Sequence, residues 1–362
     1  MTRVLILTAS VGEGHDLPAR TLADQLRREA PGVDVVIEDG LEAMGRLFVL
    51  VNERAPGVVF FRFRWLWDAA FLLFVRLGPT RRLTQRLVRG AGSRGLLRVV
   101  DRVDPDVVVS VYPMTTEVLG WLRRGGRIDV PVVAAITDLA MMHYWAAPGV
   151  DLHLITHPES VDEVLEVAGR ATRVAPLHGL TRPEFAEPRD PASARRDLDL
   201  PPTGKVVLVS GGGWGVGDLE SAVDTALQLD DVAVVACLCG RNDVLQRKLA
   251  HRYAGEERVR LVAFTDRMSD WLAAGDALVH STGGLTVLEA YVRGCPTISY
   301  GWGRGHIRAN NEAFRRHGIA DVVRTRRELR SALVVALAAR RAPGLALAAF
   351  PSAAQLVLDL VS

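Results

Sequence analysis

Short, continuous apolar runs of strand length constrain this chain's fold more than any other feature. In the first half they are "RVLILTA", "VDVVIEDG", "PDVVVSVYP", "PVVAAITDL" and "DLHLITHP", separated by segments of helical spacing such as "LPARTLADQLRREA". A strand that is apolar on both faces must be covered on both faces. Strands of this kind alternating with helices read as a parallel sheet between two helical layers. Residues 176–204, rich in Pro, charge and turn residues, break the pattern and form a candidate interdomain linker. The pattern restarts with "KVVLVSGGG", "VAVVACLCG", "VRLVAFT", "DALVHS" and "CPTISYG", and ends in an Ala/Leu-rich helical tail. A chain of 362 residues is long enough for two domains of roughly 150–200 residues each. The reading is α/β, with two Rossmann-like halves in succession.

Charge and cysteine usage exclude several classes. Forty-four Lys and Arg against 42 Asp and Glu leave a net charge of +2, so no nucleic-acid partner is expected. Cys237, Cys239 and Cys295 have neither zinc spacing nor the even count of a disulfide framework, and read as buried reduced thiols of a cytosolic protein. "MTRVLILTA" passes straight into a strand, so no signal peptide is expected. The longest apolar stretch is interrupted by Arg62, Arg64, Asp68 and Arg76, which defeats a transmembrane span. His153 and His157 lie on a strand rather than one helical face, so no metal site is expected there.

Open parallel sheets bind ligands at the carboxyl ends of their strands, and four strand-end loops stand out. "TASVGEGHDLPARTL" opens the first. A dinucleotide fingerprint needs a third glycine three places after Gly14, but Leu17 stands there, so the fingerprint fails. This, with no convincing acidic ribose partner, counts against a nicotinamide-dependent dehydrogenase. Directly after the second glycine stands His15. The second loop, "VSGGGWGVGDLE", contains Gly212 and Gly213 and is either a phosphate cradle or a tight turn. The third, "HSTGGLTVLEAYVRGCP", offers Ser281 and Thr282 hydroxyls, Gly283, Gly284, Leu285 and Thr286 at a helix start, and Glu289 one turn in. Glu289 is either a ribose acceptor or a carboxylate serving the helix dipole. In the fourth, Phe264, Thr265 and Met268 either flank a flat base or belong to the core.

Together, "FTDRMSDWLAAGDALVHSTGGLTVLEAYVRGCPTISYGWGRGHIRANNEAF" closely resembles the nucleotide-sugar domain of glycosyltransferase family 28. "GEGHDLPARTLADQL", "DPDVVVSVYP", "VPVVAAITDL" and "YWAAPGVDLHLITHPES" resemble the acceptor domain of the monogalactosyldiacylglycerol synthases, close to the processive diacylglycerol glucosyltransferases. The resemblance implies a GT-B fold, two Rossmann-like domains facing a cleft. Residues 1–178 take the acceptor, 179–340 take a UDP-sugar, and 341–362 return as a helix onto the first domain. It implies that Gly283, Gly284, Leu285 and Thr286 take the diphosphate, Glu289 the ribose, and Phe264 and Met268 the uracil. Gly212 and Gly213 approach the phosphates or the acceptor. The family's "PGQE"-like motif and following Asn correspond here to "RGHIRAN". His306 and Ile307 replace Gln and Glu, which leaves His306 and Asn310 as candidates for the sugar hydroxyls.

The implied reaction is an inverting, metal-independent hexosyl transfer from a UDP-sugar to a lipid such as diacylglycerol, with no cofactor. A polyprenyl-linked or soluble acceptor, and a non-catalytic nucleotide-sugar-binding protein, are the alternatives. A general base must take the acceptor proton, and histidine suits this at neutral pH. His15 is the expected base, Glu13 its competitor, Asp16 an orienting group, and Asp138 a residue that orients the acceptor or caps. Residues 58–90 carry seven arginines, Arg81, Arg82 and Arg86 among them, against one acidic residue, with Trp65 and Trp67 interleaved. That pattern reads either as a helical hairpin with an aromatic core face or as a docking face for an anionic membrane. The second reading places the protein in the cytoplasm, peripheral on the inner face of the cell membrane.

Overall fold

The computed structural model describes residues 1–10, 13–51, 69, 72–178, 180–185, 187–281, 284–301, 303, 305–339 and 349–361, without the side chains of Glu13, Pro183 and His306. The chain forms two compact units. One holds Met1–Thr181, Arg304–His306 and Ala348–Ser362, and the other holds Arg182–Gly303 and Ile307–Leu347.

The first unit is built on six parallel strands, β1 (Arg3–Thr8), β2 (Asp34–Asp39), β3 (Val107–Ser110), β4 (Val132–Ile136), β5 (Leu152–Ile155) and β6 (Arg173–Pro176), in the order β2-β1-β3-β4-β5-β6. Alternation along β1 divides the core. Val4 and Ile6 pack with Ala19, Leu22 and Leu26 of the first helix, while Leu5 and Leu7 pack with Leu96 and Leu119 on the other face. The helix Gly78–Val103 crosses the short helix Gly40–Met44 at Gly95, where a Cβ would lie 1.8 Å from the Ala43 carbonyl oxygen. Only glycine allows that approach. The C-terminal helix Ala353–Leu358 completes the opposite face with the fully buried Ala353, Ala354 and Val357. Ser352 Oγ donates to Glu29 at 2.6 Å, and the Ala354 N–H donates to Gln25 at 3.3 Å.

The second unit repeats the plan with β7 (Lys205–Ser210), β8 (Val232–Leu238), β9 (Val259–Val262), β10 (Ala277–His280), β11 (Thr297–Tyr300) and β12 (Asp321–Val323), all parallel, in the order β12-β11-β10-β7-β8-β9. In each sheet the chain begins at an interior strand, builds one side, then returns to build the other. The reversals fall between β1 and β3 and between β7 and β10, the crevices where such sheets bind ligands.

Two expectations change. The first helix runs Glu13–Glu29, four residues ahead of the expected start, with Pro18 inside it. The N–H groups of a helix's first four residues have no intrahelical acceptor, so a proline one turn in removes a single bond. The proposed linker is also structured. Asp190 caps the helix Pro191–Asp197 by accepting from the Ser193 N–H, and Arg189 and Arg195 pair with Asp270 and Asp276 at 2.8 and 2.6 Å. Phe185 is buried near the Arg182 and Arg293 guanidiniums, 5.7 and 5.9 Å from its ring centre. From Arg182 onward this segment is part of the second unit.

Candidate active site

In the first unit, His15 and Val111 come from the two strands that flank the reversal. The His15 imidazole Nδ1 lies 3.1 Å from the Val111 carbonyl oxygen. A carbonyl only accepts, so the proton of this contact is on Nδ1, and the neutral ring keeps its lone pair on Nε2. Tyr112 meets the ring edge-on, with centroids 4.9 Å apart, and Trp145 lies against it at 5.7 Å. Trp145 Nε1 donates to Asp138 Oδ2 at 2.9 Å. His15 and Asp138 therefore belong to one cluster, joined by an indole. Asp16 Oδ1 accepts from Thr8 Oγ1 at 2.9 Å. Glu13 begins the helix, but its side chain lies outside the described residues.

Tyr112, Val111 and Trp145 were not among the residues singled out in the sequence. The loop that carries Trp145 is unusual in its backbone: Met141 and Tyr144 take φ of 65° and 74°. Left-handed backbone at bulky residues persists where surroundings over-determine it. Here Glu163 Oε1 accepts from the N–H groups of both Met141 and Met142, at 3.0 and 3.2 Å. His153 stays apart from this cluster. Buried, it accepts from the Ala147 N–H with Nε2 and contacts Thr172 through Nδ1, and burial pushes its pKa down to about 4.

In the second unit the glycine loop after β7 meets the loop after β10 at the reversal. Gly212, Gly215 and Gly217 have φ of 67°, 57° and 117°, which glycine alone adopts freely. A Cβ on Gly217 would lie 2.0 Å from Ser281 Oγ, so the two loops are in close contact. Gly213 accepts from the Arg241 N–H at 2.8 Å. Thr282 and Gly283 lie outside the described residues. Gly284, with φ of 78° and open space where a Cβ would stand, leads into the helix Leu285–Val292, which has no side-chain cap. The Val287 and Leu288 N–H groups donate to the Gly284 carbonyl, and the N–H groups ahead of them, at Leu285 and Thr286, have no intrahelical acceptor.

Glu289 is the fifth residue of this helix and is buried, so a solvated dipole partner does not describe it. Burial pushes its carboxyl up to about 8, against the pull of Arg182 and with the help of Glu184. Phe264 stands half-exposed after β9 with the Arg241 guanidinium 3.6 Å from its ring centre, and Met268 opens the helix Met268–Ala274. Asn310 is buried on the helix Gly305–Arg316. The His306 side chain, on the same helix, lies outside the described residues. Among the described residues there is no group of three or more His, Cys, Asp or Glu placed to hold a metal ion.

Residues 60–179 match the family model of monogalactosyldiacylglycerol (MGDG) synthase, and residues 206–358 match that of the glycosyltransferase family 28 C-terminal domain. The processive diacylglycerol β-glucosyltransferase of Bacillus subtilis is 26% identical over 349 residues, 93% of this chain and 87% of that protein. A probable chloroplastic monogalactosyldiacylglycerol synthase 2 of Oryza sativa subsp. indica is 29% identical over 316 residues, 82% of this chain and 65% of that protein. The solved structure of Acinetobacter baumannii MurG superposes with a TM-score of 0.62 at 17% identity, covering 100% of this chain and 99% of that one. The fold is GT-B, two parallel six-stranded sheets each wrapped by helices. With that fold and with both parts matched by glycosyltransferase models, the chain is a glycosyltransferase enzyme whose residues 206–358 match the C-terminal domain of glycosyltransferase family 28.

Proposed function

We propose that this glycosyltransferase moves a hexosyl group from a UDP-sugar to a lipid acceptor such as diacylglycerol, with inversion and without a metal ion or cofactor. The observation that carries the chemistry is the His15–Val111 contact, because it leaves Nε2 as the proton acceptor. Nε2 takes the acceptor hydroxyl's proton as that oxygen bonds to the anomeric carbon. The bond from that carbon to the phosphate oxygen breaks, and its electron pair leaves with UDP. Trp145 and Asp138 fix the imidazole's surroundings. The N–H groups at the start of Leu285–Val292 face the departing charge. Glu289, protonated at neutral pH when unliganded, is the ribose contact, Phe264 and Met268 bracket the uracil, and Asn310 and His306 read the sugar.

The lipid acceptor is supported by the names of the relatives and by the surface of the first unit. Leu72, Leu73, Phe74, Leu77, Leu83 and Leu87 are exposed beside Arg82 and Arg86. No helix among the described residues is long and apolar enough to cross a membrane. Trp65 and Trp67 lie outside the described residues. This surface is the docking face, on the cytoplasmic leaflet, in the proposed reading. Incubation with radiolabelled UDP-glucose or UDP-galactose and extracted lipids tests it. Label in the organic phase is the expected result, and label confined to water-soluble products overturns the lipid acceptor.

A further inference from the structure

Glu163 stands in the first turn of the helix Val161–Ala168, where an acidic side chain ordinarily serves the N-terminal N–H groups of its own helix. Its Oε1 instead accepts from the Met141 and Met142 N–H groups at 3.0 and 3.2 Å. The loop that begins there is closed at several further points. The Ala146 N–H donates to the Met142 carbonyl at 2.7 Å, the Ala147 N–H donates to His153 Nε2 at 3.3 Å, and Tyr144 Oη donates to the Phe74 carbonyl at 3.2 Å. Met142, Tyr144 and Trp145 are buried within it. Glu163 thus holds the entry of the loop, and His153 holds its exit.

What the loop carries decides what the hold is for. Left-handed backbone at Met141 and Tyr144 is unfavourable for side chains of that size, so it persists only while its surroundings enforce it. Trp145 follows Tyr144 directly. Its indole lies 5.7 Å from the His15 ring, and its Nε1 donates to Asp138. A change of φ at Tyr144 swings that indole away from both. We propose that Glu163 is a positioning residue for the transfer: by holding the Met141–Trp145 backbone in its strained form, it seats Trp145 against His15 and keeps the imidazole aimed at the acceptor hydroxyl. This rests on the reading of His15 as the base. Both partners of Glu163 are N–H groups, so the role needs an acceptor oxygen and not a negative charge.

The test uses the full-length protein, labelled UDP-glucose or UDP-galactose, and whichever acceptor takes label from the wild type, lipid or soluble. The measured quantities are kcat and the KM for the UDP-sugar, in Glu163→Ala, Glu163→Gln, Trp145→Ala and the double variant Glu163→Ala/Trp145→Ala. Glu163→Ala lowers kcat about ten- to a hundredfold, as misplaced reacting groups do, and leaves the UDP-sugar KM close to that of the wild type. Glu163→Gln keeps the acceptor oxygen and retains most of the wild-type kcat. The double variant falls no further than Trp145→Ala alone, because the two residues act through one contact. Glu163→Asp, whose carboxylate is one methylene short of the two N–H groups, runs the same cycle if the alanine variant fails to fold. Equal losses in Glu163→Gln and Glu163→Ala, additive losses in the double variant, or a UDP-sugar KM that rises in step with the fall in kcat overturn the inference. His15→Ala that loses turnover beside a fully active Glu163→Ala overturns the inference alone. His15→Ala that keeps wild-type turnover overturns the base and this inference with it, and wild type that labels no acceptor overturns both.

Discussion

The Val111 carbonyl oxygen stands 3.1 Å from Nδ1 of His15, and this contact between neighbouring strand ends decides which imidazole nitrogen is basic. His15→Ala is expected to lower kcat by about 100- to 10,000-fold, the usual worth of a positioned general base. Because His15 is in the first unit and the UDP residues are in the second, UDP affinity by calorimetry is expected to stay within about twofold, well short of the loss at a binding hot spot. Loss of UDP binding together with turnover would reject the assignment.

Glu289 makes stability depend on pH. Its carboxyl is raised from 4.5 to about 8 by burial, so the folded state holds a proton that the unfolded state releases. Its contribution is fully present below about 4.5 and is lost as pH rises through about 8. His153 has the opposite sign: lowered from 6.5 to about 4, it favours the fold above about 6.5 and withdraws that support as pH falls through about 4. Between 4.5 and 6.5 the two slopes oppose one another, and above 6.5 the Glu289 slope stands alone. Glu289→Gln is therefore expected to flatten the decline in urea-unfolding free energy between pH 6.5 and 8. An unchanged slope would place the titrating group elsewhere.

Two glycines separate packing from function. At Gly217 a Cβ would enter Ser281 and the φ of 117° is foreign to alanine. Gly217→Ala is expected to cost about 1–3 kcal/mol of stability and to weaken UDP binding with it. Gly14 has open space at the Cβ position within the first helix. Gly14→Ala is expected to raise stability by about 0.5–1 kcal/mol, through helix propensity. A raised acceptor KM in that same stabilised variant would show that the open space serves the acceptor.

The basic surface can be tested without disturbing the fold. Arg81 Nη1 donates to the Val75 and Arg76 carbonyls at 3.3 and 3.4 Å, so reversing its charge also breaks a local tie. The double variant Arg82→Glu/Arg86→Glu avoids this. It is expected to pellet less with phosphatidylglycerol vesicles and to show the difference mainly at low salt. Equal pelleting by both proteins would remove the docking face.

Ten of the strands were legible because a strand covered on both sides is written as an unbroken apolar run. β6, "RVAP", and the three-residue β12 were not, since each is a short edge strand with polar residues or proline. The reactive loops were legible as strand ends. Strand order was not, and it is the order that sets His15 beside Val111, 96 positions away. Trp145 carries no signal of its own in the sequence, because its role comes from touching a helix more than a hundred residues earlier. The charges that act on Glu289 likewise include Arg182 and Glu184, in a segment whose composition suggested a linker.

The return of the chain to its first unit has a consequence for biosynthesis. Ala353, Ala354 and Val357 close the face formed by Val4, Ile6 and Leu22, so the earliest strands leave the ribosome long before their cover exists. The body of the second unit, Arg182–Gly303, emerges in between. Domains that emerge whole fold as they are made; here the unit that begins first is sealed last, and its apolar face waits until the second unit has been made.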